Sequence, residues 1–183
     1  MNALATRQEL IAILPPGTVG AEIGVLCGDF SEQILENPVR KLFLIDAWER
    51  QDPKQYVDDA NLQDHDGNHR RVCDRFDTEM ASGRVVVIKG FSVDVARNWE
   101  GGPLDWVYID ANHAFTHVLA DLIHWADRVK PDGYLMGHDY VRASWCGVIE
   151  AVDYFCNAYG WEIDCLTGEQ FASFRLKRKA DHP

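Results

Sequence analysis

The sequence predicts an α/β protein: a doubly wound, mostly parallel sheet of seven strands with helices on both faces. Three observations carry that expectation. Short apolar runs of strand length recur five times, each followed by a stretch whose apolar residues stand three or four apart. Most of these runs close on a polar residue, as strands do when their ends meet a ligand, because a buried polar strand end needs a partner. The last two runs flank a short Gly-containing turn, so the sheet should end antiparallel.

Taken in order, residues 5–14 read as an opening helix stopped by Pro15-Pro16-Gly17. Val19, Ala21, Ile23 and Val25 then mark a buried strand that carries Glu22. Gly24 and Gly28 bound the turn after it, and Asp29 or Ser31 can cap a helix over 29–37. Glycines here let a ligand approach the backbone, and the helix start supplies free N–H groups. The G-x-G-x-x-G pattern of dinucleotide folds is absent. A Gly turn without a ligand is the plain alternative for this loop alone.

Leu42 to Ile45 reads as a fully buried parallel strand closed by Asp46, 18 residues after Gly28. That is close to the spacing at which an acid takes ribose hydroxyls, although an Asp capping the next turn gives the same pattern. From 47 to 83 the pattern loosens. Asp58, Asp59, Asp64 and Asp66 mark a loop or lid, and Val72, Phe76 and Met80 a helix after it. His65 and His69 are four apart, but Gly67 between them favours a solvated loop over a metal pair.

The third strand, 84–89, ends at Gly90-Phe91-Ser92, and the fourth, 104–110, ends at Asp110. An amphipathic helix over 114–129 puts Val118, Leu122, Trp125 and Val129 on one face. Pro131-Asp132-Gly133 turns into the fifth strand, 134–137, followed by His138-Asp139-Tyr140. A helix over 145–159 precedes the hairpin of 161–166 and 171–176 around a four-residue turn.

With 183 residues, 46% hydrophobic, the chain suits one domain spanning 1–183. Five scattered cysteines without C-x-x-C read as reduced thiols, which fits a cytoplasmic protein. No apolar run approaches the ~20 residues of a membrane span, and Met1 to Leu14 lacks a leader pattern. A net charge of −11 speaks against nucleic-acid or membrane partners, the basic residues 175–179 reading as a solvated end. A homo-oligomer stays open.

Glu22-x-Gly24-x-Leu26-x-Gly28 resembles the E/D-x-G-x-G-x-G loop of class I S-adenosylmethionine (SAM) methyltransferases, with Leu26 at the middle glycine. SAM carries a sulfonium and an ammonium, which suits an acidic loop. The resemblance runs from Glu22 to Leu176 and implies a Rossmann-like sheet of order 3-2-1-4-5-7-6 with strand 7 antiparallel. It implies SAM as cofactor, with Glu22, Gly24 and Gly28 at the methionine part and Asp46 at the ribose. Phe91 and Ser92 would border the adenine, and Asp110 would stand beside the same ligand.

Residues 90–94, 108–113 and 133–140 are similar to small metal-assisted O-methyltransferases of the catechol and antibiotic-sugar types. That implies a small-molecule acceptor methylated at a hydroxyl, and Asp110 and Asp139 as ligands of a divalent metal such as Mg²⁺. His113 would stand where the catechol enzymes keep a lysine, and Tyr140 takes the place of a third ligand. Two mechanisms stay open. In one the metal lowers the acceptor pKa; in the other Asp110 and Asp139 orient His113, the first choice of base, and His138, the second. His117 and His124 read as surface groups, while Trp48, Tyr140 and Trp145 could wall the acceptor pocket. An N-methyltransferase, an NAD(P)-binding oxidoreductase and a non-catalytic SAM-binding module are the alternatives.

Overall fold

The computed structural model describes residues 4–54, 56 and 59–180. Helix α1 (Arg7–Ala12) starts at Thr6, whose hydroxyl caps the Glu9 amide, and precedes β1 (Val19–Ile23). Next come α2 (Asp29–Leu35), β2 (Lys41–Asp46) and a 3₁₀ turn over 59–62. Helices α3 (His65–Arg75) and α4 (Asp77–Ala81) lead to β3 (Val85–Lys89), α5 (Ser92–Arg97) and β4 (Leu104–Ile109). The chain closes with α6 (Phe115–Ala126), β5 (Val129–Gly137), α7 (Val148–Ala158), β6 (Trp161–Leu166) and β7 (Phe174–Arg178).

The seven strands form one sheet in the order β3-β2-β1-β4-β5-β7-β6, as expected. Strands β1 to β5 pair in parallel, and β7 runs antiparallel to both its neighbours. The period-two alternation of the strands sorts their side chains onto two faces. Ala21, Ile23, Phe43, Ile45, Val107, Ile109 and Leu135 pack with α5, α6 and α7. Leu42, Leu44, Trp106, Tyr108 and Met136 pack with α1, α2 and α3. Gly20 makes room for this second layer, since a Cβ there would lie 2.1 Å from the Trp106 ring.

Three local expectations are corrected. His65 and His69 lie on α3 rather than in a solvated loop, because Asp64 caps the helix through the Gly67 amide at 3.0 Å. Strand β5 begins at Val129, before the anticipated turn, and residues 130–133 are accommodated as a register shift opposite Leu104 and Trp106. The β6–β7 connection is seven residues, 167–173, because the Thr167 amide donates to the Ser173 carbonyl and the Ser173 amide to the Thr167 hydroxyl, closing a wider loop. Asp58 and part of the 47–83 segment lie outside the described residues.

Candidate active site

Parallel strands leave their carboxyl ends on one edge, and there the chain forms a cavity of about 850 Å³. The β1–α2 loop makes one wall. Gly24 has φ 87°, and a Cβ on it would meet the Asp110 carbonyl at 2.0 Å, so only glycine lets β1 and β4 close here. Asp46 clamps the loop: one carboxylate oxygen accepts the Val25 and Leu26 amides at 2.8 and 2.9 Å, the other the Trp48 amide at 2.7 Å. Leu26 and Trp48 both take left-handed backbone, at φ 54° and 39°. Such conformations in non-glycine residues persist where the surroundings over-determine them. The Asp46 clamp and the Trp48 indole, which donates to the Leu26 carbonyl at 2.8 Å, supply that determination. Leu26 therefore occupies a position whose backbone explains the glycine of the motif it resembles.

Glu22 stands apart from this wall. It is 2% exposed, lies outside the residues lining the cavity, and accepts the Ser31 hydroxyl at 2.5 Å. Burial pushes its carboxyl up to about 8 against the Ser31 hydrogen bond, with Asp110 adding to the rise. At neutral pH it is a protonated post beneath the loop.

At the far side Gly90, Phe91, Ser92 and Asp121 line the cavity. The Trp125 indole donates to the Ser92 hydroxyl at 2.9 Å, and Ser92 hydrogen-bonds the buried Asp121 carboxyl. Burial raises Asp121 to about 7, with Ser92 opposing. His117, expected at the surface, also lines the cavity.

The third feature is a carboxylate–imidazole cluster at the ends of β4 and β5. His113 Nε2 lies 3.0 Å from Asp139 Oδ2 and 3.7 Å from Asp110 Oδ1. His138 Nδ1 lies 3.3 Å from Asp139 Oδ2 and 3.8 Å from Asp110 Oδ2. Burial works against charge on His113, but hydrogen bonds to Asp110 and Asp139 outweigh it and raise the imidazole to about 10. His138 is raised on the same balance. Burial would raise Asp139, yet its contacts with His113 and His138 hold it well below the usual carboxylate range. Backbone bonds fix the cluster: the Gly147 amide donates to the His113 carbonyl at 2.8 Å, and the Cys146 thiol to the Asp139 carbonyl.

Asp110, His113 and Asp139 each offer a ligand atom, all within 4.8 Å of one another. Two carboxylates and one imidazole fit a divalent cation, and the nitrogen extends the range from Mg²⁺ toward Mn²⁺, Fe²⁺ or Zn²⁺. His113 would thus supply a third donor, where the resemblance left Tyr140 in that ligand's place. Tyr140 instead donates its hydroxyl to Asp153 at 2.9 Å. Trp145 is 41% exposed and packs edge-on against His113 at 5.6 Å, outside the cavity lining.

Of the residues singled out from the sequence, Gly24, Asp46, Phe91, Ser92, Asp110 and His113 line the cavity together. Asp139 and His138 adjoin it through Asp110 and His113, whereas Gly28 stands behind it as the left-handed start of α2. Asp121 and Arg7 are among the lining residues that the sequence analysis did not single out. Asp121 left a trace, an acid on the apolar stripe of Val118, Leu122 and Trp125. Arg7 left none, because it lies on a helix before the first motif.

The sheet order, with its reversed strand and its cavity beyond a clamped β1–α2 loop, defines a class I SAM-dependent methyltransferase. A family model described as a methyltransferase domain matches residues 21–140, and the chain belongs to that family. No curated protein sequence matches it significantly. Solved structures share the fold at low identity. The pyocyanin biosynthetic protein PhzM is 13% identical with a TM-score of 0.66, over 93% of this chain and 53% of that one. A putative rRNA methylase from Clostridium thermocellum is 10% identical with a TM-score of 0.67, over 96% and 95%. The N-methyltransferase NodS from Bradyrhizobium japonicum WM9 is 13% identical with a TM-score of 0.63, over 94% and 93%. This chain therefore spans about half the length of PhzM. No helix among the described residues is long and apolar enough to cross a membrane.

Proposed function

We propose that this chain methylates a hydroxyl oxygen of a small molecule, with SAM in the 850 Å³ cavity and the acceptor at its Asp110–His113–Asp139 end. The observation that carries the reading is that cluster, two carboxylates and an imidazole beside the cofactor loop. Methyl transfer from a sulfonium is an in-line displacement, so the protein has to align the acceptor and take up its proton. A divalent cation held by Asp110, Asp139 and His113 would lower the pKa of a bound hydroxyl. An amine acceptor reacts through its own lone pair once neutral and has less use for such a centre.

The chain's own residues supply the rest. Asp46, Gly24 and Leu26 hold the loop against the cofactor, Phe91 and Ser92 border the base, and Trp145 braces His113 from behind. Asp46 retains acceptor capacity toward a ribose, since a carboxylate offers about four lone-pair sites and three are engaged. The segment 47–83 belongs to the same reading as a substrate-side wall of the single domain: Trp48, Gln51, Tyr56 and His65 line the cavity. The acidic balance, −11, favours a small acceptor over RNA, and five free cysteines favour a reducing compartment, the cytoplasm.

The test is thermal shift with SAM, S-adenosylhomocysteine and NAD, followed by turnover on a panel of phenols, sugars, amines and structured RNA. The reading expects stabilisation by the first two, none by NAD, and methylation of a hydroxyl compound. Turnover confined to amines or RNA would overturn it.

A further inference from the structure

The cavity is acidic, lined by Asp29, Asp46, Glu49, Asp52, Asp110 and Asp121. Its two arginines differ: Arg50 is exposed and follows β2, whereas Arg7 is 24% exposed and held against Asp110, just after β4. The Arg7 guanidinium lies 4.2 Å from the centre of the Phe30 ring, with Nη1 3.3 Å from Asp110 Oδ2. Its backbone amide donates to Glu169 at 2.9 Å, and the Leu4 carbonyl accepts the Gly168 amide, also at 2.9 Å. With Leu10 and Ile11 buried beneath it, α1 is tied down on both sides, and Arg7 is fixed over the β1–α2 loop.

A methionine moiety brings an ammonium and a carboxylate on one carbon. The ammonium has acidic partners in plenty here. The carboxylate has few, because the Val25 and Leu26 amides are taken by Asp46, and Asp29 and Glu32 already stand in the first turn of α2. Arg75 is engaged with Asp29 at 2.7 Å, outside the cavity lining. Arg7 and Asp110 form a cation–anion pair, the complement of an amino-acid zwitterion, and a guanidinium has five N–H donors of which Asp110 takes only part.

We propose that Arg7, carried by the helix that precedes the methyltransferase motifs, is the anchor for the α-carboxylate of the bound cofactor. This rests on the reading of SAM as cofactor. Arg7 is a binding residue, selective for cofactors that keep the carboxylate, and Phe30 holds its guanidinium plane in place.

Calorimetry with SAM and with decarboxylated SAM tests this on the wild type, Arg7→Gln and Arg7→Lys. The wild type should prefer SAM. Arg7→Gln should weaken SAM by on the order of 10- to 100-fold while leaving decarboxylated SAM nearly unchanged, and Arg7→Lys should restore part of the preference. Equal weakening of both ligands, which a merely structural role of α1 would give, overturns the assignment, as does an unchanged preference. Failure of the wild type to bind either form would instead overturn the cofactor reading beneath it.

Discussion

His113 Nε2 lies 3.0 Å from Asp139 Oδ2, and the Asp139 backbone is left-handed, with φ 56°. The conformation turns the carboxylate back over the end of β4, where it meets the imidazole. Asn tolerates left-handed backbone at least as well as Asp, so Asp139→Asn removes charge without adding strain. We expect that variant to keep its fold and lose at least ~10²-fold in turnover. Wild-type turnover with a proper melting curve would take Asp139 out of the reaction.

Asp46→Ala should weaken SAM binding by ~1–3 kcal/mol, because three backbone amides lose their acceptor and the ribose loses a partner. The clamp adds a second consequence. Leu26 and Trp48 would no longer be held at positive φ, so amide exchange in the β1–α2 loop should accelerate even without cofactor. Unchanged affinity by calorimetry would remove Asp46 from the site.

Glu22 makes stability depend on pH. Its folded pKa of about 8 lies above the unfolded value of 4.5, so the native state keeps a proton that the unfolded chain releases. That contribution is fully present below pH 4.5 and is lost as pH rises toward 8. Asp121, raised to about 7, acts in the same sense from 3.8 upward. His113 loses its contribution only between 6.5 and about 10, which leaves pH 5 to 6.5 for the two carboxyls. In that window stability should fall by up to about 1.4 kcal/mol per pH unit for each group. Glu22→Gln, which keeps an acceptor for Ser31, should flatten the slope and be more stable than wild type at pH 8. Parallel curves for the two proteins would refute it.

The strand runs and the hairpin were legible because buried parallel strands are continuous apolar segments, and sheet order followed from the family resemblance. Glu22 was legible as unusual but not as buried, since its polarity suggested a ligand and its neighbour Ser31 supplied the partner instead. Asp110, His113 and Asp139 were each visible at strand ends, and only the pairing of β4 with β5 brought them within ligand distance of one another. Arg7 could not be read. Its place depends on how α1 docks against the β6–β7 loop through Glu169 and Gly168, a contact between segments more than 150 residues apart.

The metal and metal-free mechanisms part on one measurement, the initial rate before and after chelation at fixed pH. If Asp110, His113 and Asp139 hold a cation against the acceptor oxygen, EDTA should abolish turnover while SAM, held also by Asp46 and Arg7 outside the cluster, still binds. If His113 alone takes the proton, chelation should do little. An ordinary His in that role would give a rate rising through ~6.5. The structure moves it, since the Asp110 and Asp139 carboxylates raise His113 to about 10 and keep it a cation at neutral pH, unable to accept a proton. The metal-free enzyme should therefore gain activity only toward pH 10, with His113→Ala removing that limb. Two carboxylates at adjacent strand ends favour a divalent cation, which would displace the proton of His113 to gain its nitrogen, and full activity at pH 7 after exhaustive chelation would refute it.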